Sequence, residues 1–260
     1  MGIVNVTPDS FSDGGRFFDP EEAVRAGMAI VEDGADLIDV GGESTRPGSD
    51  VVPPEEELRR VLPVVKRLGA EVDMPISIDT RKAEVARAAL DAGASVVNDI
   101  TAGRDDGMFD VVRKAGAGMV LMHMQGDPKT MQDEPRYDDV VGEVRAFLAE
   151  RVSAAESAGI PRDNLCVDPG LGFGKTLEQN LTLMHDVGAL AEIGRPVLVG
   201  PSRKSFVGRI TETEVGERLE GTAGAVAWLV ANGAHIVRVH DVREMARVVR
   251  TIDAIRRASR

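Results

Sequence analysis

One punctuation mark recurs along this chain: a glycine that ends a helix-like stretch and is followed by a short apolar run. Gly34, Gly69, Gly93, Gly116, Gly159 and Gly233 stand at such points, and Gly194 does so after Ile193. Alanine follows five of them, at Ala35, Ala70, Ala94, Ala117 and Ala234. Glycine just past a helix end takes the left-handed backbone that closes the last turn, so the pattern reads as a repeated helix stop. The runs that follow are short and nearly all apolar, as in parallel strands buried on both faces. They predict strands over Ile3–Val6, Leu37–Val40, Ile76–Asp79, Val96–Asn98, Met119–Met122, Leu165–Val167, Val197–Val199 and Ile236–Val239. Helices are predicted over 20–33, 55–68, 83–92, 108–115, 140–158, 177–192, 217–232 and 242–257, with apolar residues such as Val24, Met28 and Val31 at helical spacing.

Eight strand–helix units in 260 residues fit an α/β fold closed into a (β/α)8 TIM barrel better than an open doubly wound sheet. No Pro/Ser-rich linker, low-complexity tract or long charge run divides the chain, so residues 1–260 read as one domain. The first strand opens almost at Met1, which leaves little chain to cover the barrel bottom. Either that strand is short or residues upstream of it are missing.

Charge and cysteine usage narrow the function. A formal net charge of -12 argues against general nucleic-acid binding, because phosphate backbones want a basic surface. A small anionic substrate remains open to it, since a few basic residues make a local positive site. Cys166 is the one cysteine, so no intramolecular disulfide and no cysteine metal cluster fits. The N-terminus lacks the charged and apolar regions of a signal peptide, and no apolar run approaches the roughly 18 residues that cross a membrane. The expectation is a soluble, cytoplasmic protein.

In such barrels the chemistry sits where strands end and the following loops begin. Here the strand ends carry Asn5, Asp39, Asp79, Asn98 with Asp99, His123, Asp168, Ser202 with Lys204, and Arg238 with His240. Exposed strand ends are often polar, but a ring this complete points to a functional mouth. It has two chemical halves. Asp79, Asn98 and Asp168 offer acceptors and an amide, which suit a flat heterocycle bearing N–H donors; taken singly, each is equally suited to capping a loop or helix. Lys204, Arg238 and His240 follow strands seven and eight, where many barrels bind phosphate, and would neutralise a phosphate or pyrophosphate. Arg203 reads as a surface residue.

Two motifs are refused. Asp168-Pro169-Gly170-Leu171-Gly172-Phe173-Gly174-Lys175-Thr176 resembles a nucleotide loop, but Pro169 stands where a P-loop needs its first glycine, and Lys175 occupies the last glycine of a dinucleotide pattern. These glycines are read instead as shaping a turn that brings Asp168 and Phe173 to a ligand. No His/Glu/Asp spacing suggests zinc. His123 and His185 read as structural, and Cys166 as core. The loops after strands one and two, rich in Gly, Pro, Ser and Asp, read as lids over the mouth, with Phe11 and Arg46 placed to touch substrate.

Taken together, Met1–Gly15, Gly42–Gly48, Ile78-Asp79-Thr80, Val97-Asn98-Asp99-Ile100, the Asp168–Lys175 turn, Ser202–Phe206 and Arg238-Val239-His240-Asp241 resemble, in order, the motifs of the dihydropteroate synthase family. The resemblance implies condensation of 6-hydroxymethyl-7,8-dihydropterin pyrophosphate with 4-aminobenzoate, giving 7,8-dihydropteroate and pyrophosphate. It implies that Asp79, Asn98, Asp168 and Lys204 hold the pterin, with Ile100 and Met122 lining its slot. Arg238 and His240 would bind pyrophosphate, and Asn5 would help hold Mg2+ with it. Thr45, Arg46, Pro47, Phe173 and Ser205 would shape the aminobenzoate site, with Phe11 closing over it. Asp39 would support the site residues from behind. Asp79, Lys204, Arg238 and His240 are the residues expected to carry the chemistry, an SN1-like substitution without a covalent enzyme intermediate. The resemblance further implies sulfonamide sensitivity and a homodimer, with the helices near Trp228–Val230 and the C-terminus as surfaces. The rival readings are a pterin-dependent methyltransferase and a non-catalytic pterin-binding subunit, neither of which would release pyrophosphate.

Overall fold

The computed structural model describes residues 1–7, 19–45 and 48–258. The chain alternates strand and helix throughout: β1 (Gly2–Asn5), α1 (Pro20–Glu32), β2 (Ile38–Gly41), α2 (Pro54–Glu71), β3 (Ile76–Asp79), α3 (Ala83–Asp91), β4 (Val96–Asp99) and α4 (Met108–Ala115). It continues with β5 (Gly118–Met122), α5 (Val140–Ser157), β6 (Leu165–Asp168), α6 (Leu177–His185), β7 (Leu198–Val199), α7 (Ser205–Thr211), α8 (Leu219–Ala231), β8 (Ile236–Val237) and α9 (Val242–Ala258).

Six strands pair in parallel in the order β1-β2-β3-β4-β5-β6, and β7 pairs with β8. Two parallel bridges, Val167↔Val197 and Gly2↔Val239, join these sheets into a ring. Val167 N–H donates to the Pro196 carbonyl at 3.0 Å, and Val239 N–H to the Met1 carbonyl at 3.0 Å. The eight strands therefore form the expected barrel. Because each seam rests on one bridge, β7 and β8 are shorter than the predicted Val197–Val199 and Ile236–Val239.

The strand period of two sorts side chains between two spaces. Val4, Ile38, Val40, Ile76, Ile78, Val97, Met119, Leu121, Leu165, Val167 and Val199 face outward into the main core with the helices. Each fully buried aliphatic side chain there contributes about 1.5–3 kcal/mol. Val96, Val120, Cys166, Leu198 and Ile236 have the opposite parity and form a separate apolar cluster with Met1 and Leu37. That inner parity, carried to the strand ends, selects Asn5, Asp39, Asp79, Asn98, Met122, Asp168 and Arg238.

Most of the glycine stops behave as read, with positive φ at Gly34, Gly93, Gly116, Gly159, Gly194 and Gly233. Gly69 is the exception, because α2 runs through it to Glu71. A Cβ at Gly69 would lie 3.7 Å from both the Gly93 Cα and the Ala92 carbonyl oxygen, so the small residue there serves close packing of α2 on the turn after α3. The helix predicted over 177–192 ends at His185 and tightens into a 3-10 turn over Val187–Ile193, where Gly188 sits against the Asn232 carbonyl. The short α7, between β7 and α8, was not predicted.

Candidate active site

Asp39 and Asp79 lie on neighbouring strands, and Arg238 reaches between them. Its Nε donates to Asp39 Oδ2 at 2.6 Å and its Nη2 to Asp79 Oδ2 at 2.7 Å. Asn98 Nδ2 donates to the same Asp39 oxygen at 3.1 Å. Asp39 is fully buried and so acts as the shared acceptor behind the mouth, fixing both the amide and the guanidinium. Burial works against the Arg238 charge, yet Asp39 and Asp79 hold its guanidinium above the ordinary arginine range. Burial pushes the Asp79 carboxyl up to about 7, against the pull of Arg238 and with Asp39, Glu57 and Asp99 adding to the rise. The acceptor half and the basic half of the mouth are thus one ion-paired unit, a correction to the separate halves read from the sequence.

Asp168 closes the acceptor half at the end of β6. Its Oδ1 accepts the Gly170 N–H at 2.7 Å. Burial pushes its carboxyl up to about 6, restrained by that bond and by Lys204, Lys175 and Arg238. The Gly170 to Gly174 turn then lifts Phe173 into a buried apolar cluster with Ile100, Met122, Met124 and Met131. Lys204 Nζ stands 4.0 Å above the centroid of the Phe173 ring, a cation–π contact that joins the loops after β6 and β7. The turn tolerates no side chain at Gly170, where φ is +65 and a Cβ would meet the His123 carbonyl at 2.0 Å.

On the basic side, Ser202 Oγ lies 3.0 Å from His240 Nδ1 and accepts the His240 N–H at 3.1 Å. The serine therefore sets both the ring and the backbone of His240. Arg203 is exposed and paired with Asp241, as a surface residue would be. Ser205 is exposed at the first turn of α7. Asn5 is half-buried at the end of β1, with no side-chain hydrogen bond among the described residues. Thr45 lines a small cleft with Glu43, Glu57, Asp79, Thr80, Arg81 and Ile100. Phe11, Arg46 and Pro47, and with them most of the first candidate lid, lie outside the described residues.

Two strand-end residues do not join the mouth. Asp99 accepts N–H bonds from Thr101 and Gly103, each at 2.7 Å, and caps its own loop. His123 is buried beside Lys175 and edge-on to Phe147, and burial with the Lys175 charge pushes its imidazole down to about 3.

Three features were missed in the sequence. Lys82 bridges Glu43 and Glu57, while Arg81 pairs with Glu43 at 2.9 Å, anchoring the start of the second loop. Asn180 accepts the Gly172 N–H at 2.6 Å from inside α6. Lys175 is buried within the turn itself. Its signal was on view: a lysine at the end of a glycine-rich turn that fits no nucleotide motif.

With this geometry in place, the comparisons with known proteins are specific. The family described as pterin binding enzyme matches residues 1–240. A dihydropteroate synthase of Synechocystis sp. is 46% identical over 257 residues, spanning 98% of this chain and 89% of that protein. The Xanthomonas albilineans dihydropteroate synthase solved with 4-aminobenzoic acid superposes with a TM-score of 0.93 at 49% identity, over 98% of this chain and 92% of that one. The Yersinia pestis enzyme solved in a sulfonamide drug complex gives a TM-score of 0.94 at 42% identity, over 98% and 93%.

Proposed function

The chain belongs to the dihydropteroate synthase family of pterin-binding enzymes, and from that premise we propose how its own residues divide the reaction. It is a transferase of folate biosynthesis that condenses 6-hydroxymethyl-7,8-dihydropterin pyrophosphate with 4-aminobenzoate, giving 7,8-dihydropteroate and pyrophosphate. The observation that carries the assignment is Arg238 spanning Asp39 and Asp79, which places a guanidinium beside the acceptors meant for the heterocycle.

Asp79, Asn98 and Asp168 hold the pterin by accepting from its N–H and amino donors and matching its amide, with Lys204 closing the ring. Ile100 and Met122 line its faces. Buried carboxylates without a ligand donor are costly, and the pterin supplies that donor. Arg238 and His240 hold the pyrophosphate. Thr45, Phe173 and Ser205 shape the aminobenzoate site, joined by Phe11, Arg46 and Pro47.

No group of three or more His, Cys, Asp or Glu suited to a metal occurs among the described residues. That fits Mg2+ carried on the substrate phosphates, because such an ion keeps several waters and takes few protein ligands. The Asn5 carboxamide would give it one oxygen. When bound, Mg2+ supplies charge neutralisation to the departing pyrophosphate.

Arg238 and His240 stabilise the charge that develops as the methylene C–O bond breaks and its electron pair leaves with pyrophosphate. The positive charge left on the methylene spreads into the electron-rich pterin. The neutral aromatic amine then attacks, and its extra proton passes to solvent or pyrophosphate. No residue needs to act as a nucleophile: the Ser202–His240 contact in these motifs holds the imidazole in place, with the serine also accepting the His240 backbone N–H.

The defining experiment is pyrophosphate release with the pterin pyrophosphate, Mg2+ and 4-aminobenzoate, omitting each in turn. Release coupled to dihydropteroate supports the reading; release that ignores aminobenzoate, or a trapped protein adduct, overturns the mechanism. We also read residues 1–260 as one cytoplasmic catalytic domain that acts as a homodimer. Trp228 and Ile255 are exposed on α8 and α9, the helices expected at that surface, and sedimentation of the intact chain tests it.

A further inference from the structure

The turn after β6 folds around a lysine that has no part in the assignment above. Lys175 is 3% exposed. Its Nζ donates to the Phe173 carbonyl at 2.8 Å and the Gly170 carbonyl at 3.0 Å, lies 3.1 Å from His123 Nδ1, and has the His123 carbonyl at 3.5 Å. Burial pushes the Lys175 amine down to about 7, with the Asp168 carboxylate acting the other way and Lys204 adding to the fall. In its charged form the group has three N–H donors and no acceptor. Its three nearest partners are all acceptors once His123 carries its proton on Nε2, and burial keeps that imidazole neutral.

The two carbonyls face inward because Gly170, Gly172 and Gly174 all take left-handed backbone, with φ of +65, +81 and +56. Without the ammonium, the Phe173 carbonyl would be a buried acceptor lacking a partner, and the Gly170 carbonyl would keep only the Phe173 N–H at 3.0 Å. The outer side of the same turn serves the site. Gly170 gives its N–H to Asp168, and Phe173 lies beneath Lys204. Asn180 ties Gly172 down, and Tyr137 donates to the Gly174 carbonyl at 2.9 Å.

We propose that Lys175 is a positioning residue for this reaction: its ammonium is the internal post around which the turn folds, and it sets the Phe173 ring and, through Gly170, the Asp168 carboxylate without touching either substrate. The proposal rests on the assignment of Phe173 to the aminobenzoate site.

The test compares Lys175→Met, Lys175→Ala and Phe173→Leu in the intact chain. Lys175→Met is expected to raise the KM for aminobenzoate and weaken sulfonamide binding by the same factor, about tenfold or more for lost charge-assisted bonds, with a smaller effect on kcat. In Lys175→Ala, added ammonium ion is expected to recover part of the aminobenzoate KM, while tetramethylammonium, which has no N–H, recovers none. Proportional loss in every parameter with no ammonium recovery would mark a merely structural lysine and overturn the proposal. If Phe173→Leu leaves the aminobenzoate KM unchanged, the site assignment itself is wrong; if it raises KM while Lys175→Met does not, only the present proposal fails. Should the Lys175 variants not fold, 15N NMR of the unaltered protein decides. A lysine ammonium shielded from exchange, whose resonance moves when 4-aminobenzoate and pyrophosphate bind, supports the proposal, and no such resonance overturns it.

Discussion

Arg238 Nη2 donates to Asp79 Oδ2 at 2.7 Å, tying the end of the last strand to that of the third across the barrel mouth. The same guanidinium holds Asp39 at 2.6 Å, so one cation serves two buried carboxyl groups. Arg238→Met leaves both without a countercharge. It is expected to lower stability by about 3–5 kcal/mol and to abolish measurable pyrophosphate release. Urea denaturation and the coupled release assay read the two effects separately; a variant of parental stability contradicts the buried-pair account.

Asp79 ties stability to pH. Its folded-state carboxyl stands near 7 against an ordinary 3.8, so between those values the folded chain keeps a proton that the unfolded chain has lost. Stability therefore falls as pH rises through that window. Asp79→Asn removes the penalty and is expected to stabilise the protein by about 1 kcal/mol above neutrality, while pterin binding is lost. Melting curves at acid and alkaline pH check the sign.

Pterin affinity follows the same two carboxyls in the opposite direction. Asp79 near 7 and Asp168 near 6 must be ionised to accept from the ring. Affinity for a dihydropterin ligand is expected to weaken as pH falls through these values. Calorimetric titration across that range, giving a flat profile, would remove the carboxylates from the pterin assignment.

Ser202 holds His240 twice, through the ring at 3.0 Å and the backbone N–H at 3.1 Å. Ser202→Ala is expected to cost about 1 kcal/mol of transition-state binding, seen as a fall of roughly five- to tenfold in kcat/KM for the pterin pyrophosphate. The aminobenzoate KM should stay within error of the parent; a shift there instead would place His240 at the other substrate.

Gly170→Ala forces a side chain into a left-handed position and against the His123 carbonyl at 2.0 Å. It is expected to destabilise by about 2–4 kcal/mol and to raise the aminobenzoate KM, because Phe173 rides on the same turn. Chemical denaturation and steady-state kinetics measure both; an unchanged protein would mean the turn has another conformation.

The sequence by itself determined the order of elements and the parity of each strand. Local chemistry sets both: glycine alone closes a helix without strain, and a strand shows alternate side chains to opposite faces. Asp79, Asn98, Asp168 and Arg238 were legible because each stands at or beside the end of a predicted strand, which is a local property. The sequence could not show that Gly69 serves packing rather than stopping, since its reason is a neighbour at Gly93, far along the chain. Nor could it show that Arg238 crosses to Asp39 and Asp79, or that Lys175 is buried under its own turn. The first depends on closing the barrel, which brings residues from opposite ends of the chain within hydrogen-bond distance, and the second on pairing β5 with β6, which sets His123 beside the turn. Only then does removal from water decide which charges must pair and which carboxyls keep their protons.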